Sequence, residues 1–283
     1  MSAPCEITQS MVRAMLPDRK PDSHKGDFGR VLLLCGSVGY TGAAALSAMG
    51  ACRCGSGLVY LGVPEPVYPI AAVKLNEPVV FPLPADDGML SERAVRELLP
   101  RLEHMDAVLI GPGLGQSEGV LACVRAVLEN SCVPVVVDAD GINVLARHID
   151  ILRGSACPVI LTPHPGEFRR LGGRTDLSRE DAAVQLAREL SCLCVLKGHG
   201  TVVTDGTDSF VNTTGNPGMA VGGSGDVLAG MLVSLLGQGL RPLDAACAAV
   251  WLHGAAGDLC ARELGQYGML PTDMLAALPR LLP

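Results

Sequence analysis

Residues Asn212–Gly230 read NTTGNPGMAVGGSGDVLAG, a glycine-rich turn that runs straight into an apolar helix and carries one carboxylate at the junction. Gly222, Gly223, Ser224 and Gly225 can turn successive backbone N–H groups toward one point, and Val227, Leu228, Met231, Leu232 and Leu235 follow at a helical period. A helix start of this kind is an anion site, because its first N–H groups lack partners within the helix and the helix dipole favours negative charge there. Asp226 does not fit that description. A carboxylate here repels a bound phosphate unless it takes a proton from an attacking hydroxyl or shares a metal ion with the phosphate. The alternative is that Asp226 only favours the helix dipole.

Outward from this stretch, short apolar runs ending in glycine or aspartate alternate with helical patterns, which is the pattern of βαβ units and a mainly parallel sheet. Strands are expected at 31–35, 58–63, 107–110, 133–137, 159–161 and 193–196, and helices at 42–53, 118–129, 142–147, 179–190, 227–236 and 243–264. Between Leu196 and Thr213 the spacing shortens, and Asp205-Gly206 fits a turn between two antiparallel strands, giving the sheet an antiparallel edge. The Pro-rich stretch from Pro64 to Pro84 reads as irregular but too short and apolar for an interdomain hinge, so residues 1–283 are expected to form a single domain. Residues 1 to 25 are polar, although MVRAML can form a short helix docked on the body or on a neighbouring subunit.

Composition narrows the function classes. The formal charge of -7 and the lack of any Lys/Arg cluster argue against nonspecific nucleic-acid binding, which needs a basic face to displace counterions. The 11 cysteines are odd in number and sit mostly in apolar runs, such as Cys35 in VLLLCG, so they read as core residues of a protein in a reducing cytoplasm. Cys52/Cys54 and Cys192/Cys194 are C-x-C pairs without a nearby His at zinc-site spacing. The N-terminus has no continuous apolar core for a secretory signal, and the apolar stretch near Met219 is broken by Asp226 and glycines, so neither a leader nor a membrane span is expected.

In an open parallel sheet, ligands bind beyond the carboxyl ends of the strands. Here one strand end after another carries a segment of interest: GSVGYTGAA after Cys35, GPGLGQ after Ile110, DADGIN after Val137, TPHPGE after Leu161, KGHGT after Leu196, and then GGSGD. Each has a plainer reading. Gly111, Gly113 and Gly115 can simply permit a tight turn, and Asp140 can be an N-cap with Asn143 its first-turn neighbour. Glu167 can favour a helix start and His164 can be a turn residue, although their i, i+3 spacing also lets both face a cleft. Lys197 can be a solvated loop lysine or a phosphate ligand beside Gly198. Asp138 directly ends a strand, where a metal or hydroxyl partner would sit. The remaining histidines form no ligand pattern with one another.

GPGLG, VVVDADGIN, LTPHPGE, KGHGT and NPGMAVGGSGDVLAG, in that order, resemble the ADP- or ATP-dependent NAD(P)H-hydrate dehydratases, carbohydrate-kinase-like proteins of the ribokinase fold. The resemblance extends to YTGAAALSA near the N-terminus. GGSGD alone is shared by the wider superfamily, whereas HPGE with NPGMAVGGSGD is far more specific. The resemblance implies a three-layer α/β/α fold and a substrate that is NADH or NADPH hydrated across a ring double bond. Phosphoryl transfer from ADP or ATP to that hydroxyl would make it a good leaving group. It implies Asp226 as the catalytic base and, with Ala43, Gly113 and His164, as a substrate contact. Gly222, Gly223, Ser224 and Gly225 then form the anion nest, and Lys197, Gly198, His199, Gly200, Thr201 and Gly225 bind the nucleotide. By position, Glu167 would hold magnesium through water, with Asp138 a weaker candidate. The resemblance further implies ADP as the favoured donor, a homo-oligomer of the tetrameric kind common in the family, and a dehydratase standing apart from its NAD(P)H-hydrate epimerase partner. Three other readings compete. A ribokinase-like kinase of a small thiazole or pyrimidine alcohol should lack HPGE, and a nucleotide-binding regulatory module should lack Asp226. A Rossmann dehydrogenase needs a G-x-G-x-x-G after the first strand, and none is present.

Overall fold

Apolar runs without polar interruption sit in a sheet only where both faces are covered, and the runs AVLI, VVV, VIL and LCVL are buried at every position. The computed structural model describes residues 4–283. Its strands in chain order are β1 (Cys5–Glu6), β2 (Arg30–Leu34), β3 (Leu58–Pro64), β4 (Val79–Leu83), β5 (Ala85–Asp86), β6 (Met89–Leu90), β7 (Ala107–Ile110), β8 (Val135–Val137), β9 (Val159–Leu161), β10 (Leu193–Leu196), β11 (Thr201–Thr204) and β12 (Ser209–Asn212). Ten form one sheet in the order β1-β12-β11-β10-β9-β8-β7-β2-β3-β4, and β5 pairs with β6 in a small separate hairpin. Neighbours in the large sheet are parallel except for β11, which runs against both β10 and β12.

The period-2 alternation of strand side chains sorts the sheet residues into two cores. Val31, Leu33, Ala107, Leu109, Val136, Ile160 and Val195 pack under the helices Thr41–Arg53, Ser224–Gly237 and Pro242–Leu264. Leu32, Leu34, Val108, Ile110, Val135, Val137 and Leu161 pack under Ala94–Leu102, Glu118–Asn130 and Arg179–Leu190. The result is the expected three-layer α/β/α arrangement with an antiparallel element near one edge.

Two segments differ from expectation. The stretch from Pro64 to Pro84 is ordered structure, with a helix at Tyr68–Lys74 and the strand β4. β4 bonds only to β3, and an edge strand tolerates Pro82 because one side of it needs no ladder donor. At the other edge the unexpected strand Cys5–Glu6 pairs with β12, whereas the helix Gln9–Met15 falls on most of the expected MVRAML helix, capped by Thr8 and docked through buried Val12 on this chain's own core.

The helices Thr41–Arg53 and Ser224–Gly237 bring the two halves of the carboxyl edge together. Leu46 lies at Gly223, Gly50 at Val227, and Ser56 bonds to Ser234 at 2.8 Å, so the two helices run side by side in one direction. Small residues set their separation: a Cβ on Gly50 would lie 2.6 Å from the Val227 carbonyl oxygen, and one on Gly230 would run into that of Ser47. Replacing Gly230 by Ala is expected to destabilise the protein by about 1–3 kcal/mol through overpacking. The check is a denaturant unfolding curve, where an unchanged midpoint would contradict the close approach.

Candidate functional site

The order of strands reverses between β2 and β7, where the chain leaves in opposite directions across the sheet. Open α/β sheets offer a crevice at such a point. The segments following these two strands close over it: Gly36 donates to the Pro112 carbonyl at 2.8 Å, and Ser37 Oγ to that of Gly113 at 2.7 Å. A Cβ on Gly113 would lie 2.8 Å from that of Ala43, so these two predicted substrate contacts are neighbours, with Tyr40 beside them. Asp140 fixes the same loop by accepting from Gly115 N at 2.9 Å. Ala139, not Asp140, is the N-cap of the helix Asp140–Leu145. It holds φ at 49°, a strained value for a residue with a side chain.

Further along the same edge, four charges meet. Asp138 is 1% exposed, and its Oδ1 accepts from Lys197 Nζ at 2.6 Å. Glu167 is 3% exposed and accepts from the His164 backbone N at 2.8 Å. Burial disfavours the Lys197 ammonium, but Asp138 and then Glu167 outweigh it and hold its pKa above the usual lysine value. Glu167 is raised, first by burial and next, after the opposing pull of Lys197, by the charge of Asp138. Asp226 is pushed up to about 6 by burial foremost and by Asp138, against the pull of Lys197. Asp140 also raises Asp226, and Cys35 at the end of β2 feels the Asp226 charge. Asp226 therefore feels the charges of Asp138, Lys197 and Asp140 together.

The glycine turn behaves as a nest. Gly223 caps the helix Ser224–Gly237 in a left-handed conformation, and among the described residues no carbonyl accepts from the N–H groups of Gly222, Gly223, Gly225 or Asp226. A Cβ on Gly225 would lie 3.5 Å from Lys197 Nζ, so the ammonium abuts the first turn. From the helix Pro242–Leu264, His253 Nε2 lies 2.9 Å from the Ser224 carbonyl oxygen. Burial lowers the His253 pKa to about 4, so the ring is neutral at pH 7 and donates to that carbonyl.

A cavity of about 850 Å³ opens over the nest. Residues 197–201, 212–217 and 219–221 line it, with His164, Ser224, Gly225 and His253. Five predicted nucleotide residues thus come together with Gly225. Ala43 and Gly113 do not line this cavity, and His164 joins the KGHGT loop rather than them. The His164 ring caps the helix Pro165–Arg170: Nδ1 accepts from Gly166 at 2.9 Å and Glu167 at 3.4 Å, while the Glu167 carboxylate returns the bond. Glu167 is turned inward by this reciprocal cap instead of facing a cleft with His164.

Three braces around the cavity escape a reading of the sequence. Arg179 donates to the carbonyls of Leu196, Lys197 and Gly200, and Asp258 accepts from Gly215 N at 2.9 Å and Asn216 Nδ2 at 3.0 Å. His253 is the third. The available signal is that His253 and Asp258 interrupt AAVWLHGAAGDLC, a helix otherwise made of small and apolar residues. Arg179 has no such signal, since an arginine at a helix start looks solvated.

A family model described as NAD(P)H-hydrate dehydratase matches residues 31–280. The bifunctional NAD(P)H-hydrate repair enzyme Nnr of Moorella thermoacetica is 44% identical over 98% of this chain and 53% of its own length. The chain spans about half the length of this and similar bifunctional relatives. The ADP-dependent (S)-NAD(P)H-hydrate dehydratase of Bacillus subtilis is 39% identical over 97% of this chain and 96% of its own length. The crystal structure of the Bacillus subtilis ADP/ATP-dependent NAD(P)H-hydrate dehydratase, co-crystallised with ATP and Mg2+, matches with a TM-score of 0.83 at 34% identity. That match covers 98% of this chain and 97% of the other.

Substituting Lys197 by Met leaves Asp138 buried without its cation, and breaking such a pair costs about 3–5 kcal/mol. Lys197→Met is expected near the lower end of that range because its side chain keeps some contact with water. Adding Asp138→Asn should recover most of the loss. Unfolding curves of the single and double variants check this, and additive losses would show that the pair is not coupled.

Proposed function

The chain belongs to the NAD(P)H-hydrate dehydratase family, and on that premise we propose that it restores NADH and NADPH from their S-form hydrates in an ADP- or ATP-dependent dehydration. The observation that carries the proposal is the position of Asp226: a carboxylate in the first turn of an open helix N-terminus, next to Gly225, which lines a nucleotide-sized cavity and abuts Lys197.

Residues Lys197, Gly198, His199, Gly200 and Thr201, with Gly225, hold the nucleotide, and the free N–H groups of the nest receive its phosphates. The hydrated nicotinamide lies toward Ala43 and Gly113. Asp226 accepts the proton of the substrate hydroxyl as the phosphoryl group arrives, so a poor leaving group becomes phosphate. The ring nitrogen lone pair then expels phosphate, and the resulting iminium loses a proton from the adjacent ring carbon to restore the ring double bond of NADH or NADPH, with AMP or ADP and phosphate released. His164, at the cavity rim, contacts the bound molecules from the HPGE side.

Three carboxylates against one ammonium leave excess negative charge, which suits a magnesium ion. Glu167, with Asp138 beside it, would hold such an ion through water. A magnesium ion held there would offset the charge of the nucleotide phosphates.

The dehydratase reading applies to residues 31–280 as one domain, which we infer works as a homo-oligomer and in concert with an NAD(P)H-hydrate epimerase activity. The chain's cysteines are all free, which supports a reducing cytoplasm, and no helix of the described residues is long and apolar enough to cross a membrane. The kinase alternative does not account for HPGE beside NPGMAVGGSGD.

Purified protein mixed with hydrated NADH, magnesium and either ADP or ATP should regain the reduced-nicotinamide absorbance, and no recovery with either donor would overturn the proposal. Asp226→Asn should keep its nucleotide affinity while turnover falls roughly 10²–10⁴-fold. Near-normal turnover would remove Asp226 as the base. Because Asp226 must be ionised to accept a proton, kcat/KM in the wild type should hold above about pH 6 and fall below it, approaching about tenfold per pH unit. A profile flat from pH 7 to pH 5 would contradict this assignment.

A further inference from the structure

Arg179 opens the helix Arg179–Leu190, whose N-cap is Ser178, and its guanidinium reaches under the loop that follows β10. Nη2 donates to the Leu196 carbonyl at 2.8 Å and to that of Lys197 at 2.7 Å, and Nε to that of Gly200 at 3.4 Å. The side chain makes no ion pair among the described residues. A half-buried cation is thus spent on three backbone carbonyls, a task that suits the planar, multi-donor guanidinium and not an ammonium. Gly198 lies flat against it at φ 143°, and a Cβ there would come within 2.8 Å of Nη2.

These three bonds pin the loop at both ends, at Leu196 and Lys197 and again at Gly200. The N–H groups of His199 and Gly200 meet no acceptor among the described residues, and both residues line the cavity. Lys197, whose carbonyl Arg179 holds, sends its Nζ to Asp138 beside the nest. We propose that Arg179 is a positioning residue for the nucleotide: it fixes the Leu196–Gly200 backbone so that the free N–H groups and the Lys197 ammonium face the bound nucleotide. This rests on the reading of KGHGT as the nucleotide loop. A purely structural brace between the helix and β10 would instead affect stability and both reactants alike.

The test uses ADP titrated calorimetrically into the protein without hydrate, together with steady-state kinetics for each reactant. If the wild type does not bind ADP, the nucleotide reading itself fails and this proposal falls with it. If the wild type binds, Arg179→Met should weaken ADP binding roughly tenfold or more, because it removes hydrogen bonds from a charged donor. The KM for ADP should rise by a similar factor, and that for hydrated NADH should change by less than about twofold. Arg179→Lys should restore only part of the affinity, since one ammonium cannot serve all three carbonyls. Gly198→Ala should reproduce the defect by displacing the guanidinium. Wild-type ADP affinity in Arg179→Met, or an equal rise in both KM values, overturns the proposal. Should Arg179→Met fail to fold, Gly198→Ala and Arg179→Lys carry the same expectation, and full ADP affinity in both overturns it.

Discussion

Asp138, Glu167 and Asp226 come from three separate segments of the chain and all lose water on folding, and among them stands the ammonium of Lys197. Without that cation the carboxyl edge of the sheet would concentrate like charges in a low dielectric, where they repel strongly or take up protons. The 2.6 Å bond to Asp138 fixes the end of β10 against the end of β8, and the same ammonium abuts the first turn of the nest helix. Cavity and nest keep their relative places because one side chain lines the first, bonds to Asp138 and abuts the helix turn that carries Asp226.

The backbone around this cluster is arranged to leave donors unspent. A helix start commonly hides its first N–H groups under a side-chain cap, but Gly223 offers no side chain, and His253 bonds to the Ser224 carbonyl and leaves the amides open. The loops on either side are tied from behind, by Arg179 through carbonyls and by Asp258 through N–H groups. The close packing at Gly50 and Gly230 then brings the nest helix beside the helix that begins at the Ala43 loop. The helix turn that carries Asp226 is thereby held next to the helix that carries Ala43.

Much of this was legible in the sequence, for physical reasons that also mark the limits. β7, β9 and β10 fall on the predicted residues because a strand buried on both faces must be apolar throughout. β4 was not predicted because an edge strand tolerates Pro82, and β1 because two residues carry no period. Ser224 and Gly225 of the GGSGD turn share a cavity with the KGHGT turn, since strand ends in a parallel sheet share one edge. What the sequence could not convey is which way a side chain turns. His164 and Glu167 cap each other, so one stays at the rim and the other is buried, and Arg179 folds back under a loop instead of into water.

The proposed base depends on a balance between opposing effects. A hydroxyl is a far weaker acid than any carboxylic acid, so an ordinary aspartate has little affinity for its proton until the incoming phosphoryl group acidifies it. Burial and the charge of Asp138 make Asp226 more basic than an exposed aspartate, which raises the driving force for that transfer. The same effects taken further would leave it protonated at neutral pH and useless as a base. Lys197 limits the rise, keeping the pKa at about 6, so that the group is mostly ionised at pH 7 and still more basic than its ordinary form. The cation that lets three acids share a dry edge therefore also sets the strength of the one that would do the chemistry.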